Sequence, residues 1–175
     1  MEATLTKRNL LICITRLYSV PNPLQELLLV NNTNLKNTRL VTSVEETQSI
    51  ARELVGLLQG RGIISLEGPL GAGKTHFVKG AATALHLQEE VTSPTFTLLQ
   101  SYGAKENILH HIDFYRLSSA AEALDMGVEE CFEEGLTIIE WGNKFLNLLP
   151  PGTLRVSLQP LENDVREISW YFHSA

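Results

Sequence analysis

The chain lacks the marks of several common protein classes. Its two cysteines, Cys13 and Cys131, lie far apart and form no CxxC pair. That argues against a zinc cluster or a disulfide framework and fits a reducing cytoplasm. No apolar run approaches the roughly 20 residues of a membrane span, so no membrane association is expected. There is no internal repeat and no low-complexity tract. Positive charge is scarce, with 14 Lys and Arg against 20 Asp and Glu, a net charge of −6. Duplex affinity comes largely from Lys and Arg on phosphates, so a nucleic-acid surface covering much of the molecule is disfavoured. A local basic patch, or a partner that carries the nucleic acid, remains compatible with this balance. The 175 residues, 43% hydrophobic and 19% charged, allow one globular domain with a real core.

Charge is unevenly placed. Residues 1–39 carry a net +3, which leaves −9 on the remainder. This segment also holds Pro21, Pro23 and the run Asn31-Asn32-Thr33-Asn34, which is turn or linker chemistry. Its apolar patch, Leu10 to Ile14, is short for a secretory leader and is cut off by Arg16. We read 1–39 as an N-terminal extension, poorly ordered or an overlong start, with organelle targeting and a docking element as alternatives. The folded domain is expected over 40–175.

What the chain does have is Gly68-Pro69-Leu70-Gly71-Ala72-Gly73-Lys74-Thr75, a full match to G-x-x-x-x-G-K-[ST]. The apolar strand-like stretch Ile63 to Leu66 precedes it and a helix-compatible run from Phe77 follows, which is the strand–loop–helix context the motif needs. Glycines permit the backbone angles that point successive N–H groups at phosphate oxygens. The start of the following helix adds its positive dipole end. Lys74 would reach the β- and γ-phosphates, and the Thr75 hydroxyl would ligate Mg²⁺. The alternative, a glycine-rich turn capping a helix, leaves the Lys and Thr unexplained. The motif predicts a nucleoside triphosphate site.

The remaining pattern predicts a three-layer α/β domain, P-loop NTPase-like, with a mixed, mostly parallel central sheet and a C-terminal β-hairpin. A short strand starts at Leu40-Val41. Ser43-Val44-Glu45-Glu46 has capping-box spacing before a helix ending near Gly60. The helix after the loop is expected to reach about Leu87. Ser93 to Thr97 opens an extended run to Tyr102, which pairs antiparallel with Ile108 to Tyr115 across a short turn. Ala120 to Glu134 reads as an acidic helical region, and Leu136 to Glu140 as a buried strand. The hairpin turns at Glu162-Asn163-Asp164.

A phosphate loop needs a carboxylate, or a water it holds, at the end of a neighbouring strand. Glu140 ends an apolar strand and Asp113 ends a more polar one. Either alone could be a solvated charge or a cap. His110-His111 point to opposite strand faces, which disfavours a shared metal, so one of them is expected to hydrogen-bond near the nucleotide. Asn143-Lys144 starts like the guanine-reading N-K-x-D motif, but Phe145 and Leu146 follow and the Asp is missing. Adenine is therefore the expected base.

Four motifs together resemble the TsaE (YjeE) family: Gly71 to Thr75, Ser93 to Thr97, His111-Ile112-Asp113-Phe114-Tyr115-Arg116, and Ile139-Glu140-Trp141. The resemblance covers about residues 40–172. It implies the ATPase of bacterial tRNA threonylcarbamoyladenosine synthesis, using ATP/ADP and Mg²⁺. The partners would be a TsaB–TsaD-like complex, with tRNA met through that complex, in the cytoplasm. It implies catalytic roles for Lys74, Asp113 and Glu140, and nucleotide contacts from Gly68, Gly71, Ala72, Gly73, Lys74, Thr75, Thr47 and Trp141. Thr75, Asp113 and Glu140 would serve the metal. The stretch Thr42 to Thr47, which resembles the part beside the adenine, reads equally well as a helix cap. Pro69 stands where the family often has an acid, and Gly142 where it often has proline. Two other readings are a small-molecule kinase and a nucleotide-gated binding module. Kinases usually carry an Arg-rich lid, and no Arg lies between Arg61 and Arg116.

Overall fold

The computed structural model describes residues 36–104 and 107–173. The expectations placed on residues 1–35 lie outside the described residues. The elements are β1 (Asn37–Val41), α1 (Val44–Leu57), β2 (Gly62–Glu67), α2 (Lys74–Ala84), β3 (Leu99–Ala104), β4 (Asn107–Asp113), α3 (Ala120–Asp125), α4 (Val128–Glu133), β5 (Leu136–Glu140), a 3-10 segment (Gly142–Leu148), β6 (Leu154–Pro160) and β7 (Arg166–Phe172). The seven strands form one sheet in the order β1-β7-β6-β2-β5-β4-β3. β2 runs parallel to both β5 and β6, and β4 runs parallel to β5. β3 and β7 are antiparallel to their neighbours, so the other five strands share one direction.

Central strands are covered on both sides, so all of β5 is buried and β2 nearly so, which is why both read as continuous apolar runs. On one face α1 and α2 close a core of Ile50, Leu54, Phe77, Val78 and Ala81 over Ile64, Leu66 and Ile138. On the other, Ala123, Val128 and Cys131 pack with Phe114 over Ile63, Ile112 and Ile139. The helices start as the sequence dictates. Ser43 caps α1, its Oγ accepting from Glu46 N at 3.1 Å, and Glu46 Oε2 accepts from Thr42 N at 2.6 Å. The bonds from Thr42 N and then Thr42 Oγ1 hold the Glu46 carboxyl below the usual carboxylate range.

The structure moves several boundaries. β4 ends at Asp113 and not at Tyr115, because a turn follows in which Leu117 N donates to Phe114 O. β1 begins at Asn37, three residues ahead of the expected domain start. It is an edge strand whose exposed residues pair with β7, Asn37 opposite Trp170, so no apolar run announces it. α2 ends at Ala84, because His86 takes a left-handed φ of 56°. The acidic region 120–134 is two helices broken at Gly127, whose φ is 75°. Residues 93–98 form a turn rather than a strand: Leu98 N donates to Pro94 O at 2.6 Å, with a Leu98 φ of 66°. The hairpin turns where expected, with Asn163 and Asp164 both at positive φ.

Gly80 is where α2 approaches α1 most closely. A Cβ there would stand 2.6 Å from the Gln48 backbone, a contact only backbone movement could relieve. Gly80→Val should destabilise the fold by at least about 2 kcal/mol, read as a lowered urea midpoint. An unchanged midpoint would show that this crossing tolerates more volume than the geometry allows.

Candidate functional site

The loop Gly68–Gly73 leaves the end of β2 and enters α2 at Lys74. Gly68, Gly71 and Gly73 have φ of 144°, 78° and 98°, values that L side chains rarely adopt. A Cβ on Gly68 would also overlap the Leu158 carbonyl oxygen on β6. Pro69 sits at the top of this turn, and Lys74 Nζ donates to the Gly68 and Pro69 carbonyls, both at 3.1 Å. Lys74 is buried, and burial pulls its ammonium below the ordinary lysine value while Glu140 and Asp113 pull it back up. The ammonium also lies 4.7 Å from the centre of the Trp141 ring.

The two predicted acids meet at this loop because of sheet order. β5 is inserted between β2 and β4, so Glu140 lies opposite Leu66 on one side and Asp113 on the other. Both carboxylates are buried. Glu140 Oε2 is 3.9 Å from Lys74 Nζ, and Thr75 Oγ1 is 3.5 Å from Glu140 Oε1. His111 Nε2 is 3.0 Å from the same Oε1, the hydrogen-bonding role expected of one histidine of the pair. His110 points to the other face and meets Ser101 Oγ at 2.8 Å, and burial pushes its imidazole down in pKa. Asp113 is held by the chain itself: Tyr115 N donates to Oδ1 and Thr95 Oγ1 to Oδ2, both at 2.8 Å.

A cleft of about 260 Å³ opens here, walled by the loop, Ser93, Thr95, Asp113, Tyr115, Glu140 and Trp141. A cleft of about 310 Å³ at the opposite end of β2 is lined by Arg61, Glu129, Glu133 and Pro150 and shares none of these residues. Among the described residues no group of three His, Cys, Asp or Glu side chains forms a metal cage. Thr75, Glu140 and Asp113 instead offer a small all-oxygen set, which suits Mg²⁺ that keeps waters and phosphate oxygens as its other ligands.

Of the predicted residues, Gly71, Ala72, Gly73, Lys74, Thr75, Asp113, Glu140 and Trp141 line one cleft. Gly68 lies behind it, and Thr47 is not brought to its wall. Thr47 is fully buried, its hydroxyl donating to Ser43 O at 3.1 Å and accepting from Arg166 Nη1 at 3.3 Å. Arg166 is the residue sequence reasoning missed. Its guanidinium carbon would be 3.4 Å from a Cβ on Gly73, and no local motif marks a residue brought in by the far hairpin. Tyr115 meets Trp141 in a tilted ring contact at 5.1 Å, and Arg116 lies over Phe96 at 4.5 Å, tying the 93–97 turn to the end of β4. Lys144 is engaged by the chain itself. Its ammonium donates to the Tyr115 and Leu117 carbonyls at 2.8 and 2.7 Å. Gly142 is fixed by space, since a Cβ there would overlap Ser65 Oγ.

The family model for the threonylcarbamoyl adenosine biosynthesis protein TsaE matches residues 41–168. The chain belongs to the TsaE family. Among its relatives, the Treponema pallidum tRNA threonylcarbamoyladenosine biosynthesis protein TsaE is 42% identical over 128 residues, 73% of this chain and 94% of that protein. The TsaE of Aquifex aeolicus is 35% identical, covering 75% of this chain and 93% of that one. The crystal structure of Bacillus subtilis YdiB superposes with a TM-score of 0.65 at 30% identity, over 78% of this chain and 84% of that chain. This TsaE-family chain thus shares its mixed α/β fold with a solved structure. Among the described residues no helix is long and apolar enough to cross a membrane.

Gly68→Ala tests the loop. With φ at 144° and the Leu158 carbonyl in the way, the variant should lose at least about 2 kcal/mol of stability in urea unfolding. Wild-type stability would mean the loop adopts another conformation.

Proposed function

We propose that this chain binds and hydrolyses ATP with Mg²⁺ as a subunit of the machinery that makes threonylcarbamoyladenosine in tRNA, at the adenosine next to the anticodon in tRNAs reading codons that begin with A. The observation that carries the reading is the convergence of Lys74, Thr75, Asp113 and Glu140 on the glycine loop at the ends of three adjacent strands. The names of the relatives supply the pathway.

The loop N–H groups and the α2 N-terminus would hold the phosphates, and Lys74 would place its charge against the β- and γ-oxygens. Thr75, Glu140 and Asp113 would hold the cation, directly or through water. Bound Mg²⁺ supplies positive charge to the phosphate oxygens. Glu140 would orient the attacking water. The water oxygen bonds to the γ-phosphorus while the bond from that phosphorus to the bridging oxygen breaks, its electron pair leaving on ADP. The water proton passes to a carboxylate or phosphate oxygen. Tyr115 and Trp141 wall the cleft and limit bulk water.

Hydrolysis can do work only if the ATP and ADP forms differ in affinity for something else. The 93–97 turn is hydrogen-bonded to Asp113 and carries Phe96, which is 85% exposed. It is therefore suited to couple the phosphate site to an outer surface. A net charge of −6 does not fit autonomous tRNA binding, so tRNA is met through a TsaB–TsaD-like complex.

Lys74→Ala should abolish hydrolysis and weaken ATP binding in calorimetry; unchanged affinity and turnover would remove the loop from the site. Asp113→Ala and Glu140→Ala should each lower turnover at least about 100-fold with folding intact by circular dichroism, and normal hydrolysis by both would make these acids structural. Turnover should be slow for the isolated chain and rise when the TsaB–TsaD pair is added. Rapid turnover that the pair leaves unchanged would favour a self-sufficient enzyme such as a small kinase.

A further inference from the structure

We infer that His111 is a positioning residue that fixes the Glu140 carboxylate for hydrolysis, an inference that rests on the ATPase reading above. His111 is fully buried on β4, two residues before Asp113 and on the same face of the sheet. Its register partner on β5 is Ile138, so the ring reaches forward along the strands to meet Glu140. Among the described residues, the Nε2–Oε1 contact of 3.0 Å is the shortest polar contact of the Glu140 carboxylate. Thr75 Oγ1 stands at 3.5 Å and Lys74 Nζ at 3.9 Å.

The other ring nitrogen settles the direction of this bond. Nδ1 is buried, with no hydrogen-bond partner among the described residues. A proton there would be a buried donor without an acceptor, which costs more than a bare lone pair in an apolar setting. The hydrogen-bond network therefore assigns the proton to Nε2, which donates to Glu140. With Nδ1 unpaired, the ring has a single polar task. An apolar side chain would fill this space without desolvating an imidazole, so the structure bears that desolvation for one bond.

That bond decides which carboxylate oxygen is available. Oε1 lies between His111 and Thr75 and is held from below. Oε2 is left on the Lys74 side. Without the Nε2–H donor, the carboxyl group could turn about its terminal torsion, a broad and soft one, and lose its aim. Outer partners of this kind typically contribute about 10- to 100-fold to activity.

The test compares kcat and KM for ATP in wild type, His111→Gln, His111→Asn and His111→Ala, each with the partner complex. Gln sets an N–H donor close to the position of imidazole Nε2, whereas Asn sets its donor near Nδ1. His111→Gln should stay within about threefold of wild type. His111→Asn and His111→Ala should lose about 10- to 100-fold in kcat with KM changed less than about threefold. Adding His111→Ala to Glu140→Ala should cause no further loss. Folded variants with wild-type kcat would overturn the inference, as would a folded His111→Gln no better than His111→Ala. If His111→Ala does not fold, the Gln and Asn pair decides; failure of all three to fold would make His111 structural and overturn it too. Wild-type protein that hydrolyses no ATP with or without the complex would sink the ATPase reading and this inference together. Hydrolysis indifferent to His111 would sink the inference alone.

Discussion

The parallel pairing of β5 with both β2 and β4 is the constraint on which the site depends. It is a register fact before it is a chemical one. Leu66, Glu140 and Asp113 stand side by side at the ends of three adjacent strands, so the acid on β5 faces the loop leaving β2. The ladder continues past the strand ends, with Trp141 N donating to Leu66 O at 2.9 Å and Phe114 N to Glu140 O at 3.0 Å. A slip of one residue would turn Glu140 to the opposite face of the sheet. The apolar runs Ile63–Leu66 and Leu136–Ile139 prevent it, because each residue in them is buried.

Everything around the cleft is tied back to that frame. Asp113 accepts from Thr95 and from the backbone of Tyr115, so one carboxylate organises the turn before β3 and the turn after β4. Tyr115 meets the ring of Trp141, whose left-handed backbone (φ 60°) ends β5 and directs the chain into the 3-10 segment. Lys144 then binds the carbonyls of Tyr115 and Leu117 from that segment. Leu70 and Tyr115 on the rim, and Phe96 on the adjoining turn, are exposed large apolar side chains. These side chains leave apolar area in water immediately outside a buried, charged interior, an arrangement found where a surface meets a partner.

Much of this was legible in the residues. The eight-residue loop, the capping box at Ser43–Glu46, the buried strand Leu136–Glu140 and the hairpin turn at Asn163-Asp164 each rest on local chemistry, and each forms where that chemistry places it. Asp113 and Glu140 could be picked out because both end strand-like runs. Less legible were elements whose cause is distant. β1 is held by β7 and not by an apolar pattern of its own, and the 93–98 turn is bonded to Asp113 and braced by Arg116 rather than extended as its Thr-rich sequence implies. Thr47 looked like a cleft residue and is instead buried behind Arg166.

The sequence by itself determined that a strand, a glycine loop and a lysine-threonine helix start would form a tight turn with positive-φ glycines, because backbone angles are settled within a few residues. It also determined which acids stood at strand ends. The tertiary structure alone decided that β5 would lie between β2 and β4, that His111 would meet Glu140, and that Arg166 would rest against Gly73. Those three facts join residues far apart in the chain, His111 and Glu140 by 29 positions. Such pairings are chosen by burial of whole faces and by strand order, which no local run of side chains encodes.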